Sequence, residues 1–134
     1  MFDWLNYLDL AGKLVGEAEV EPSDESKART SISRSYYCAY HLACELLLLE
    51  GDTNIGKSLP DSHRYVIDQF HNRNNRKFIN MGDILLRLKN DRISADYWKD
   101  KVIEIEKAKT VWKTSSWLTA QLKKEIRQLR AKRR

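Results

Sequence analysis

The sequence has few residues that break helices, with five glycines and two prolines among 134 residues. It lacks an apolar run of about eighteen residues, so no transmembrane helix is expected. It has only two cysteines, and Cys38 and Cys44 point in different directions if both lie on one helix. That spacing favours packed thiols and a reducing cytoplasm. The N-terminus lacks a leading basic cluster, so no secretory signal is expected. These absences favour a single helical domain over residues 1–134.

Apolar residues recur at the spacing of an α-helix along most of the chain. The predicted helices cover, to within a few residues, 1–18, 24–50, 61–71, 79–89 and 98–131. Val20-Glu21-Pro22 separates the first two helices, and Ser23 or Asp24 can cap the second. Residues 90–97 are predicted to form a turn. No apolar alternation indicates a strand, so we expect an all-α fold, an up-and-down bundle of four to five helices.

In the second predicted helix, apolar and polar side chains separate onto two faces. The predicted core face consists of Ile32, Tyr36, Ala39, Ala43, Leu46 and Leu47. Arg34 and His41 are seven residues apart, so they point nearly the same way on the other face, together with Tyr37. An imidazole can carry a proton near neutral pH, and a guanidinium can hold a phosphate through paired donors. The pair therefore suits chemistry at a phosphodiester.

The stretch RSYYCAYH, residues 34–41, resembles the HEPN family, helical domains of prokaryotic toxin and defence systems and of RNA-guided ribonucleases. That family's signature is an Arg and a His separated by four to six residues on one helix. Residues 62–70 and 85–97 match as well, the latter through an Arg-x-x-Ala-Asp-Tyr turn expected to support the active helix. The resemblance covers nearly the whole chain and implies a HEPN-like fold. It also implies a metal-independent endoribonuclease that acts as a homodimer with a composite Arg/His site.

The resemblance implies Arg34 and His41 as the catalytic residues. RNA carries its own nucleophile, the 2′-OH, so His41 would exchange a proton while Arg34 holds the non-bridging phosphate oxygens. The products would be a 2′,3′-cyclic phosphate and a 5′-OH. Tyr37 can stack a base. Ser35 stands where catalytic members often carry Asn, Asp or His. Tyr37 and Ser35 are both assigned to substrate binding. No cofactor and no metal are expected, because the three histidines lack cysteines at ligand spacing.

Charge is unevenly distributed along the chain. Residues 123–134 contain seven basic side chains and Glu125, a net +6, whereas the whole chain carries +5. The first 25 residues are strongly acidic. We therefore predict that Lys132, Arg133 and Arg134 bind RNA. A solvated helix end and an acidic protein partner are the alternatives.

Three other features have simpler interpretations. Residues 51–58 match the phosphate-loop pattern letter for letter, but that mechanism needs a preceding strand and a helix starting at the Lys-Ser. Here a helix precedes, and Pro60 prevents a helix from continuing, so a flexible loop is predicted. Arg64 and His71 repeat the Arg/His spacing without the tyrosines, and His63 and His71 are expected in solvated or capping roles. The tryptophans at positions 112 and 117 are predicted to lie in the core.

An alternative function is a non-catalytic helical adaptor that binds a nucleotide or a partner protein. The resemblance suggests a nucleotidyltransferase-like antitoxin as that partner. In a catalytic protein, loss of His41 abolishes activity, whereas an adaptor tolerates that loss.

Overall fold

The computed structural model describes residues 2–17 and 24–133. Within these residues the chain is all-helical, which confirms the predicted fold class and is compatible with an up-and-down bundle. The helices are α1 (Leu5–Glu17), α2 (Asp24–Leu49), α3 (Ser62–His71), α4 (Arg76–Tyr97) and α5 (Ile105–Lys132). The predicted break at residues 20–22 and the Ser23 cap lie outside the described residues. No described helix is both long and apolar enough to cross a bilayer.

α2 is the central helix, and α1, α4 and α5 all pack against it. Every residue of its predicted core face is buried. α1 runs antiparallel to α2, since the Ser31 hydroxyl donates to the Ala11 carbonyl at 2.9 Å while His41, further along α2, contacts Trp4 at the start of α1. This antiparallel packing places the first turn of α1 over the middle of α2.

α4 and α5 cover the other sides of α2 in opposite directions. α4 is antiparallel to α2, whereas α5 runs parallel to it. In the parallel pair, the Ser115 hydroxyl donates to the Ser35 carbonyl at 2.6 Å, and Thr119 contacts Cys38 one turn later. α3 packs mainly on α4. Together, α1, α2, α4 and α5 alternate in direction. In the sequence, α3 comes between α2 and α4.

α4 is longer than predicted at both ends. It begins after Asn75, whose side chain accepts a hydrogen bond from the Lys77 amide, and it continues to Tyr97. The prediction of a turn at residues 90–97 was wrong because the buried side chains of Leu88, Arg92 and Ala95 keep helical spacing through the polar segment. α5 consequently begins at residue 105, seven residues later than expected.

The segment joining α4 to α5 is held against α2 by Arg29. Its guanidinium donates to backbone carbonyls at the end of α4 and in the following segment, those of Ser94, Ala95, Trp98 and Lys101. Glu25 accepts from Arg29 at 3.0 Å and from the Ile103 amide at 3.0 Å. These bonds lower the pKa of the Glu25 carboxyl, which receives hydrogen bonds as the charged form.

The loop that matches the phosphate-loop pattern lies between two helices. α2 precedes it, and α3 starts only at Ser62, so the strand and the helix that the phosphate-binding mechanism needs are both missing from this part of the chain. Gly51 and Gly56 have positive φ angles of 92° and 89°, which glycine adopts without steric cost. The prediction of an interhelical loop is confirmed.

The two tryptophans of α5 differ in burial. Trp112 is partly buried and donates its indole N–H to the Leu8 carbonyl at 3.2 Å. Trp117 is exposed, so its assignment to the core was wrong. Its position on the helix faces away from α1 and α2, which the apolar spacing alone did not distinguish from a core position.

Candidate functional site on α2

The Tyr37 ring is the centre of a cluster that contains the predicted catalytic pair. The Arg34 guanidinium carbon lies 5.3 Å from the centroid of this ring and 4.6 Å from that of Tyr7 on α1. Arg34 also donates to the Ser33 hydroxyl at 3.3 Å. In the described part of the chain, no ion pair joins Arg34 to a carboxylate. The described contacts of the Arg34 guanidinium are therefore with two aromatic rings and one hydroxyl.

His41 also contacts Tyr37, with the ring centroids 6.0 Å apart. Trp4 stacks on the imidazole at a centroid distance of 3.5 Å and an interplanar angle of 10°. His41 is thus half-buried, because α1 covers part of this face of α2. Burial, and secondarily the charge of His63, lower the pKa of His41 from 6.5 to about 4. The imidazole is consequently neutral at physiological pH.

His63, in the first turn of α3, completes the cluster from a second helix. Its Nδ1 lies 2.6 Å from the Tyr36 hydroxyl, and its ring centroid lies 4.3 Å from that of Tyr40 and 6.0 Å from that of Tyr37. Burial lowers its pKa, with further lowering by Arg92 and Lys89. The expected solvated or capping role was wrong. The local sequence has no signal for this contact, which joins residues 27 positions apart.

Arg92 of α4 is the second guanidinium of the cluster. It is only 7% exposed, and its guanidinium carbon lies 5.4 Å from the Tyr37 ring centroid and 5.5 Å from that of Tyr36. Asp96, at 3.8 Å, is its carboxylate neighbour, and the Arg92 Nε atom is buried with no hydrogen-bond partner among the described residues. Asp96 also accepts from Ser33 at 3.3 Å. The sequence analysis did not assign Arg92 to the site, because a residue in a predicted turn is not expected to point into the core.

Ser35 does not belong to the cluster. It is fully buried on the side of α2 that faces α5, and its hydroxyl has no hydrogen-bond partner within the described chain. A residue in that position is inaccessible to RNA, so its assignment to substrate binding was wrong. Helical geometry explains the error, because the residue after Arg34 is rotated by about 100° away from it.

The basic end of α5 is separate from the predicted catalytic pair. Lys132 and Arg133 are exposed, and Arg134 lies outside the described residues. Arg130 pairs with Glu45 on α2 at 2.7 Å, one turn beyond His41. This ion pair places the end of α5 beside the C-terminal part of α2.

The second Arg/His pair is not assembled into a site. Arg64 is exposed and pairs with Asp68 at 3.4 Å, whereas His71 pairs with Asp83 of α4 at 2.9 Å. The two side chains have carboxylate partners of their own. This arrangement makes them suitable controls for Arg34 and His41.

The two cysteines are free. Burial raises the pKa of each thiol to about 11, which keeps both in the weakly reactive protonated form. Across residues 2–17 and 24–133, no group of three or more His, Cys, Asp or Glu side chains is placed to hold a metal ion.

Comparisons with protein families, with curated proteins and with solved structures found no match for this chain. The resemblance to the HEPN family stays a prediction from residues 34–41 and the two further segments.

Proposed function

We propose that this protein is a metal-independent endoribonuclease of the HEPN type, with Arg34 and His41 as its catalytic residues. The observation that carries the proposal is that both side chains rest on one ring, that of Tyr37, while Arg34 has no carboxylate partner in the described residues. A guanidinium without a carboxylate partner in the described residues and a neutral imidazole, both beside one tyrosine ring, suit an RNA phosphodiester better than a purely structural role.

The two side chains have distinct roles in the proposed reaction. Neutral His41 accepts the proton of the 2′-OH as that oxygen attacks phosphorus, and the bond from phosphorus to the 5′-oxygen breaks. Arg34 donates to the non-bridging oxygens, whose charge grows in the phosphorane. The leaving 5′-oxygen takes up a proton, so the products are a 2′,3′-cyclic phosphate and a 5′-OH. Tyr37 contacts both groups through its ring, and stacking of a base on this ring stays a prediction from the sequence.

A two-fold homodimer through this face is part of the proposal. The α-carbons of Arg34 and His41 are about 10 Å apart along the helix axis, and a second chain would bring another pair into the same cleft. Phe2 and Leu48 flank the site and are both more than half exposed, which supports an intermolecular contact there. Light scattering at tens of micromolar protein tests this contact, and a monomer at that concentration would contradict it.

The test of the proposed activity is cleavage of total RNA in EDTA by matched variants. His41→Ala should lose on the order of 100-fold to 10,000-fold in rate. Arg34→Lys should also be severely impaired, because an ammonium cannot reproduce the planar fork of donors. Arg64→Ala and His71→Ala carry the same spacing outside the cluster and should have mild effects. Circular dichroism should show equal folding for all four variants.

Two outcomes would contradict the proposed activity. If the parent protein cleaves no RNA, the catalytic proposal is wrong. If His41→Ala cleaves like the parent while His71→Ala does not, the active helix is α3. Product ends other than a 2′,3′-cyclic phosphate would reject the mechanism while retaining a nuclease.

A second candidate is the non-catalytic adaptor, favoured by an exposed apolar patch between α4 and α5. The side chains of Tyr97 and Val102 are 70% and 75% exposed, and that of Trp98, which lies between them in the sequence, is 55% exposed. A protein partner, such as the nucleotidyltransferase-like antitoxin suggested by the resemblance, would cover such a patch. Loss of partner binding on Trp98→Ala, together with the absence of RNA cleavage by the parent, would favour this candidate.

A further inference from the structure

The cleavage reaction needs two proton transfers on opposite sides of one phosphorus atom. The attacking and leaving oxygens lie roughly in line, so a group next to one of them is remote from the other. His41 alone can serve only one of these oxygens at a time. A second titratable group near the cluster would supply the other proton transfer.

We infer that His63 is a further catalytic residue of this site, donating a proton to the leaving 5′-oxygen while His41 receives the proton of the 2′-OH. The inference rests on the proposed ribonuclease function. It goes beyond the Arg/His pair on one helix, because His63 belongs to α3 and comes to the site only through folding.

Shared aromatic contacts bring the two imidazoles close together. Both contact Tyr40, whose ring centroid lies 5.2 Å from that of His41 and 4.3 Å from that of His63. The two histidines therefore cannot be farther apart than the sum of these distances. A phosphorane with one hydrogen bond of about 2.8 Å at each apical oxygen spans a gap of this order.

The Tyr36 hydroxyl orients His63 for proton transfer. It lies 2.6 Å from Nδ1, which leaves Nε2 as the nitrogen that can meet a substrate. A hydroxyl can donate to a neutral imidazole nitrogen and can accept from a protonated one, so it suits both states of a residue that loses and regains a proton. Tyr36 is fully buried, which raises its pKa and keeps it a phenol. Tyr36 is thus a positioning residue.

The surrounding charges also suit a bound phosphate. Arg34 and Arg92 lie at nearly equal distances, 5.3 and 5.4 Å, from the Tyr37 ring centroid. The titratable and charged groups that face His63 are Tyr36, Tyr37, Tyr40, His41, Lys89, Arg92 and Asp61. Three of these groups are cationic or can become so, and they disfavour a further positive charge on His63 in the free protein. A phosphate anion would offset that effect and favour the protonated form in the complex.

The test compares two substrates with different leaving groups. Natural RNA leaves as an alkoxide that needs a proton, whereas nucleoside 3′-(4-nitrophenyl phosphates) release a phenolate that does not. His63→Gln should lower cleavage of RNA on the order of 100-fold and change nitrophenyl release by only a few fold. His41→Ala should be slow on both substrates. His71→Gln, which alters the third histidine outside the cluster, should match the parent on both.

Tyr36→Phe keeps the imidazole and removes only its hydrogen bond, so it serves if His63→Gln does not fold. It should slow cleavage of RNA more than nitrophenyl release. If either variant slows both substrates equally, or slows neither, His63 has no role in leaving-group protonation and the inference fails while the ribonuclease proposal stands. If the parent cleaves neither substrate, the proposed function itself fails.

Discussion

Trp4 lies flat on His41, with the ring centroids 3.5 Å apart and the ring planes 10° from parallel. The contact joins the start of α1 to the middle of α2. It removes one face of the imidazole from water, and burial is the main cause of the low pKa of His41. The start of α1 thus influences the protonation of the proposed catalytic residue.

Trp4→Ala should raise the pKa of His41 from about 4 toward 6.5, because water regains access to the uncovered face. The value should stay below 6.5, since His63 also lowers it. An NMR titration of the imidazole protons measures the change. Trp117→Ala removes an exposed tryptophan outside the cluster and should leave the titration unaltered; an equal shift in both variants would contradict burial by Trp4 as the cause.

Stability should rise with pH between about 4 and 6.5. In this range the unfolded chain binds a proton at His41 and the folded chain does not, so lowering the pH favours unfolding. The contribution is fully present above 6.5 and diminishes as the pH falls toward 4. Urea denaturation of the parent and of His41→Gln measures it. The free energy of unfolding of the variant should depend less steeply on pH than that of the parent. Identical pH dependences would show that His41 titrates alike in the folded and unfolded chains.

Gly82→Ala should destabilise the fold by about 1–3 kcal/mol, although alanine favours helices. A Cβ at this position would lie 2.5 Å from Cδ2 of His71 and 3.2 Å from Cβ of Phe70, so α3 would have to move away from α4. Gly16→Ala is the matched control, because no atom lies within 4 Å of its added Cβ. It should be neutral or stabilising by up to about 1 kcal/mol. Thermal denaturation compares the two, and a stabilised Gly82→Ala would contradict the close packing of α3 on α4.

Removal of residues 132–134 should weaken binding of single-stranded RNA and reduce its dependence on salt. The slope of log K against log salt falls by about 0.7 for each phosphate that the protein no longer neutralises, so three phosphates correspond to about 2. Fluorescence anisotropy at several salt concentrations gives the slope. Lys57→Ala, in the exposed loop after α2, should leave the slope as it is. An unchanged slope after truncation would assign the tail to solubility or to a protein partner.

The sequence was most informative where one helix carried a regular apolar pattern. The core face of α2 followed from the spacing of Ile32, Tyr36 and Ala39, because burial imposes the helical period. Polar residues near the end of α4 obscured its continuation, since a buried arginine does not look like a core residue. His63 and Trp4 could not be placed, because each reaches the site through contacts between helices that only folding creates.

The Arg29 guanidinium donates hydrogen bonds to backbone carbonyls at the end of α4 and in the segment that follows it. An exposed segment of this kind would ordinarily open often and exchange its amide hydrogens quickly. Here Arg29 and Glu25 of α2 both hold the segment, so opening should occur as a single cooperative event rather than by gradual fraying. Arg92 lies only two residues before Ser94 on α4, so the segment held by Arg29 begins close to the inner guanidinium of the site. The α4–α5 connection thus links the exposed Tyr97–Trp98 patch to α2 through Arg29 and Glu25.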